Sequence, residues 1–130
     1  MMIDVVQFIK EAGMFFLATS ENGQPKQRPF GGVMLLNDRI YFDTNTEKSV
    51  YKQMTANPQV SLCAFSKGCW MRIEGRAVPD HSPETLDAIT ERNPMLKKLR
   101  EKEGDIFTSL YLEDATVEFH SGEKCESWKL

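Results

Sequence analysis

Between Tyr41 and Met54 the chain reads YFDTNTEKSVYKQM, where a short strand runs into a helix start crowded with hydroxyls and lysines. Such groups bind anions. Hydroxyls and amides donate hydrogen bonds, lysine brings charge, and a helix start adds free backbone amides worth roughly 0.3–1 kcal/mol toward a phosphate or carboxylate. Thr44 followed three residues later by Glu47 has the capping-box spacing, and Val50 with Met54 marks one apolar helical turn. Lys52 lies one turn beyond Lys48, where like charges repel in an isolated helix; a nearby anion reverses the sign. The same residues also describe an ordinary capped helix with solvated lysines, and the run alone leaves both readings open.

Other chemistries are poorly supplied. The sequence shows no paired carboxylates and no Ser, His and Asp set, a mild pointer to cofactor chemistry. Cys63, Cys69 and Cys125 match no zinc motif, and with only His81 and His120 to join them no metal site is expected; they read as free packing thiols, with nothing to bring a cysteine and a histidine together. A net charge of −3 argues against a nucleic-acid partner. No apolar run reaches the ~20 residues that span a bilayer, and the N-terminus lacks a signal-peptide pattern, so a cytoplasmic protein without a membrane partner is expected.

The elements that position these groups follow from periodicity. Val5, Phe8, Ile9 and Ala12 recur at helical spacing, with Asp4 near the start and Gly13 at the end. Met14 to Thr19 is strand-like, Asn22-Gly23 supplies a hairpin turn, and the return strand KQRPFGGVMLL places Arg28 and Phe30 on one face. Pro29 implies an edge or a bulge, and Gly31-Gly32 a sheet bend or the approach of a ligand to bare backbone. A further strand from Arg39 to Asp43 delivers the helix that Asn57 and Pro58 stop. Val60, Leu62 and Ala64 alternate in the next strand, and CWMRIEGRAV follows with Met71, Ile73, Gly75 and Ala77 on an apolar face. Its other face holds Trp70, Arg72, Glu74 and Arg76. An ion-pair ladder accounts for Glu74 and Arg76, whereas a tryptophan beside an arginine is typical of binding faces. Ser82 and Pro83 start a helix, Asn93 and Pro94 break it, and Gly104 ends a second piece. Ile106 to Leu112, a turn at Glu113 and Asp114, a strand from Ala115 to His120 and a polar tail from Ser121 to Leu130 complete the reading.

With 130 residues and 41% hydrophobic content there is one domain, residues 1–130, with one core. Six or seven short strands in hairpin succession, with helices between them, predict a mainly β, α+β fold: a small antiparallel barrel with flanking helices. In this order the segments RPFGG, FDTNTEKSVYKQMTANPQVSL and WMRIEGRAV resemble the pyridoxamine 5′-phosphate oxidase-like family, the FMN-binding split β-barrels. The resemblance runs over essentially the whole chain, and TNTEKS followed by NP and an apolar strand is its most specific part.

The resemblance implies an FMN-binding homodimer with the flavin between subunits. In similar proteins the strand-to-helix junction holds the FMN phosphate, which maps here to Thr46, Lys48 and Ser49, with Thr44 and Asn45 nearby. The strand of Arg28, Pro29 and Phe30 is similar to the one that runs along the flavin. Trp70 and Arg72 are expected to face the same groove from the partner, and Trp128 resembles aromatics that close over the ring in some members. True pyridoxamine phosphate oxidases carry a longer C-terminal segment whose arginine and tryptophan grip the substrate. Here Trp128 is followed by Lys129 and Leu130, so that activity is not assigned. The implied function is FMN-dependent electron transfer to a small planar, quinone-like or nitro-like substrate, with reduced nicotinamide as donor. The alternative is a non-catalytic flavin sensor or carrier, or a barrel holding haem or a deazaflavin, for which His120 is a candidate haem ligand and equally a surface residue.

Overall fold

The computed structural model describes residues 2–130. Helix α1 (Met2–Ala12) leads into β1 (Phe15–Glu21), β2 (Gln24–Phe30), β3 (Met34–Leu36) and β4 (Arg39–Asn45). Then come α2 (Ser49–Ala56), β5 (Gln59–Ser66), β6 (Cys69–Asp80), α3 (Pro83–Arg92), α4 (Pro94–Glu103), a short 3₁₀ turn, β7 (Phe107–Ser121) and β8 (Lys124–Lys129). All strand pairs are antiparallel, in the order β2-β1-β5-β6-β7-β4-β3, with β8 on the free flank of β7. This is the split β-barrel with flanking helices, built of eight strands rather than six or seven.

Alternation sets what lies inside. Phe15, Leu17, Leu62, Ile73, Leu110 and Val117 are buried on the inner face, and Val5 and Ile9 of α1 close the barrel over them. A smaller cluster of Leu36, Tyr41 and Ile89 joins the outer side of β3 and β4 to α3. The Asn22-Gly23 hairpin has positive φ at both residues, as a mirror-image two-residue turn requires. Ser82 caps α3 by accepting from the Thr85 amide at 3.3 Å, and Asn93 breaks the helical excursion while capping α4.

Three expectations are corrected. The strand read as KQRPFGGVMLL is two strands, because residues 31–33 leave the sheet. The turn expected at Glu113 and Asp114 is a bulge in one unbroken β7: Asp114 has φ 53°, and the register shifts opposite the stretch from Glu74 to Arg76. Gly75 makes room there, since a Cβ would meet the Glu113 carbonyl oxygen at 3.0 Å. The polar tail folds back over Gly122 as β8, an edge strand whose residues are exposed except for half-buried Trp128, opposite Val117. Polarity at an edge satisfies water, not a loop. No helix among the described residues is long and apolar enough to cross a membrane.

Candidate functional site

Where β2 breaks away from the sheet it leaves a cavity of about 450 Å³. Residues 28–34 and Tyr41, Phe42 and Asp43 of β4 line it, together with Lys48 and Val50 from the start of α2 and Asn93, Met95 and Leu96 from the start of α4. Phe30 is held by ring contacts to Phe15 and Phe42, with centroids 5.5 and 5.7 Å away. A Cβ added to Gly31 or Gly32 would meet nothing within 4 Å. Packing within the chain therefore does not require these glycines, and they present bare backbone to the cavity.

At the Lys48 end the turn differs from the expected capping box. Thr44 is an interior residue of β4, and its buried hydroxyl has no partner among the described residues. Asn45 makes the turn instead: its Oδ1 accepts from the Glu47 and Lys48 amides at 3.0 and 3.1 Å, and its Nδ2 donates to Glu103 at 2.5 Å. Lys48 is the residue before α2 and has no side-chain cap, so the first-turn amides of Ser49 and Val50 have no intrahelical acceptor. Lys48 and Ser49 are exposed, and Thr46 is half-buried with its amide donating to Ile106. Of the five residues expected here, Lys48 reaches the cavity; Thr46 and Ser49 stand beside it, Thr44 is buried on the face of β4 that carries Phe42, and Asn45 turns to the opposite face toward Glu103 of α4.

Arg28, Pro29 and Phe30 all line the cavity, but the Arg28 guanidinium is largely engaged by its own chain. Nη1 donates to Leu17 O and Thr19 Oγ1 at 3.1 and 2.8 Å, and Nη2 donates to Gln53 Oε1 at 2.7 Å. Thr19 donates to the same Gln53 oxygen at 2.5 Å, and Gln53 Nε2 donates to Glu21 at 3.3 Å. This partly buried network docks α2 against β1 and β2, and desolvation lowers the Arg28 pKa.

Asp43 lines the cavity and was missed as a site residue. Burial pushes its carboxyl above the ordinary range, against the pull of its own backbone amide and of Lys48. The available signal was alternation, which puts Asp43 on the same face of β4 as Tyr41. Tyr41 donates to Asp80 Oδ2 at 2.9 Å. Met95 and Leu96 were missed because they arrive from a helix pair distant in sequence.

Trp70, Arg72 and Trp128 do not line this cavity within the chain. Trp70 stacks on His120 with centroids 3.8 Å apart and planes 5° from parallel. Arg72 Nη1 donates to Glu118 Oε2 at 2.9 Å, and Arg76 pairs with Glu113 and Asp114 across the bulge. The cross-strand ion pairs thus involve Arg72 and Arg76. Trp128 packs against the core with its indole N–H buried and without a partner among the described residues. The expectation that nothing joins a cysteine to a histidine is also corrected: the β7–β8 hairpin sets Cys125 opposite His120, with Sγ 3.6 Å from Nε2. Linear spacing hides a cross-strand pair. His120 and Arg72 together hold the Glu118 carboxyl below its usual range.

Comparison with solved structures finds a NimC/NimA family protein from Clostridium acetobutylicum, 34% identical, with TM-score 0.92 over 99% of this chain and 93% of that one. General Stress Protein 26 from Bacillus anthracis, 17% identical with TM-score 0.77, covers 98% of this chain and 97% of its own. A heme binding protein from Mycobacterium smegmatis, 13% identical with TM-score 0.76, aligns over 94% of this chain and 55% of its own. The last two show the fold alone. A search of curated proteins finds no match. The family model described as pyridoxamine 5′-phosphate oxidase matches residues 1–118, and with that span added to the barrel and to the 34% identical relative, the chain belongs to the pyridoxamine 5′-phosphate oxidase-like family.

Proposed function

We propose that this protein binds FMN and acts as a flavin-dependent oxidoreductase on a small planar organic molecule, working as a homodimer. The observation that carries the reading is the cavity between Lys48, at the open start of α2, and the bare backbone of Gly31 and Gly32. The donor set fits a phosphorylated flavin: an ammonium and first-turn amides at one end suit the phosphate, and glycine backbone lets a flat ring approach closely. FMN supplies the two-electron redox chemistry when bound.

The protein's own residues bind and orient. Lys48, with Ser49 and Thr46 beside it, holds the phosphate, and Arg28 fixes the wall that Pro29 and Phe30 present. Phe30, Met34 and Leu96 exclude water. Asp43, with its raised pKa, holds a proton at its carboxyl more readily than an exposed aspartate does. Haem iron takes His, Cys, Met or Tyr ligands; of these the cavity offers Met34, Met95 and Tyr41, whose hydroxyl is engaged by Asp80, and an ammonium with free amides serves a phosphate better than a metal. In the homodimer, Trp70, Arg72 and Trp128 reach the partner's cavity. Exposed Phe16 and Phe65 on β1 and β5 provide apolar surface for such a contact. The three free thiols suit a reducing cytoplasm.

The test is a purification followed by chromophore extraction. A yellow protein whose chromophore is FMN, or a colourless one that takes up added FMN with one site per chain, is expected. Failure to bind FMN would overturn the reading. Anaerobic mixing with reduced nicotinamide then separates enzyme from carrier: bleaching that a quinone or nitro compound reverses is turnover, and a flavin that stays oxidised leaves a binding protein. Sedimentation that returns a flavin-loaded monomer would remove the dimer.

A further inference from the structure

We propose that Glu118, His120 and Cys125, on the β7–β8 hairpin, form a binding site for a divalent metal of the zinc type, separate from the cavity. Their ligand atoms converge: His120 Nε2 is 3.2 Å from Glu118 Oε1 and 3.6 Å from Cys125 Sγ, and all three atoms lie within 4.8 Å of one another. Tetrahedral zinc, with bonds of about 2.0–2.1 Å to nitrogen, about 2.0–2.2 Å to oxygen and about 2.3 Å to sulfur, holds such ligands about 3.4 Å (N to O) and about 3.6 Å (N to S) apart. Two of the three separations are already at that spacing. The third, between the Glu118 carboxylate and Cys125 Sγ, is at most 4.8 Å, and the exposed Cys125 side chain has room to adjust it.

Both neighbours meet the same imidazole nitrogen. A nucleophilic relay needs the carboxylate on one ring nitrogen and the thiol on the other; convergence on Nε2 is instead the arrangement in which a cation replaces the shared proton. The site also has supports of the kind that orient metal ligands. Trp70 stacks flat on the His120 ring, 3.8 Å away and 5° from parallel, which leaves the ring edge free for an in-plane bond. Arg72 binds Glu118 Oε2 at 2.9 Å and so leaves Oε1 turned toward His120. Imidazole, thiolate and carboxylate together favour zinc over calcium or magnesium. Three protein ligands at a half-exposed position leave the fourth place to water or another small ligand.

The experiment titrates the full chain, freed of flavin and stripped of metal with a chelator, with Co²⁺ as a spectroscopic stand-in and with Zn²⁺ in competition. One metal per chain is expected, with a thiolate-to-cobalt charge-transfer band that Zn²⁺ abolishes and a change in Trp70 emission. Cys125→Ser should remove the band, and His120→Gln and Glu118→Gln should each weaken binding by roughly tenfold or more. A Cys63→Ser/Cys69→Ser double variant should keep it. Zn²⁺ should also slow alkylation of Cys125 in the unaltered chain, a readout that needs no variant. No cobalt band, a band that survives Cys125→Ser, or unprotected alkylation of Cys125 would overturn the site. None of the three ligands lines the chain's own cavity, and the titration is made on flavin-free protein, so the metal site and the flavin reading fail separately.

Discussion

Arg28 and Gln53 are joined by a 2.7 Å hydrogen bond from Nη2 to Oε1, which ties the strand beside the cavity to the helix whose start carries Lys48. Through that contact the guanidinium holds the fold together before it can serve any ligand. Arg28→Ala should therefore destabilise the flavin-free protein by about 1.5–3 kcal/mol, the range for hydrogen bonds to charged groups. Urea unfolding of Arg28→Ala, Gln53→Ala and the double variant should give a coupling energy of about 0.5–3 kcal/mol. Additive effects would show that the two side chains do not act together.

Lys48 is exposed and outside this network. Lys48→Ala should leave the thermal midpoint unchanged and weaken FMN by roughly ten- to a hundredfold, with a smaller loss for riboflavin, which lacks the phosphate. Equal losses for the two ligands would move the phosphate elsewhere.

Asp43 has a pH signature. Burial raises its carboxyl above the ordinary 3.8. Below that pH both the folded and unfolded chains hold the proton; as pH rises through the folded value the unfolded chain releases it more easily, and stability is lost. Asp43→Asn should thus be more stable than the parent at neutral pH, with the gain disappearing below about pH 3.8. Unfolding free energies across pH 3 to 8 check this. The variant should also bind FMN more tightly at pH 8, because a negative charge beside Lys48 has gone.

Gly75→Ala places a methyl against the Glu113 carbonyl oxygen at 3.0 Å and the Ala115 Cα at 3.1 Å. Backbone on both sides gives way poorly, so a loss of about 1–3 kcal/mol is expected from overpacking at the bulge. Chemical denaturation measures it, and an unchanged midpoint would mean that the bulge relaxes freely.

Local patterns were legible where local physics decides. The period of Val5, Phe8 and Ile9, the Asn22-Gly23 turn and the Ser82 cap each act within a few residues, and each forms as its pattern predicts. Glu113 and Asp114 misled because turns and bulges use the same residues, and only the partner strand tells them apart. The tail misled because an edge strand needs little apolar content: Trp128 alone marks its inner face. Within the candidate site, Lys48 and the segment from Arg28 to Phe30 were readable from motif. The contributions of Met95 and Leu96, the engagement of Arg28 by Gln53 and the approach of Cys125 to His120 depend on which elements become neighbours, and spacing along the chain does not encode that.

One consequence concerns folding order. The unbroken β7 is shared: its first third pairs with β4, its last third with β8, and β6 runs along nearly all of it. Until β7 docks, β4 has only the three-residue partner β3, too short to hold it in place. Joining Tyr41 to Tyr111 is a long-range closure, the kind of step that slows folding. Since Tyr41, Phe42 and Asp43 form a cavity wall, the candidate site is incomplete until β4 pairs with β7. The cavity thus depends on a contact between segments far apart in the chain, and a chain in which β7 has not docked lacks one of its walls.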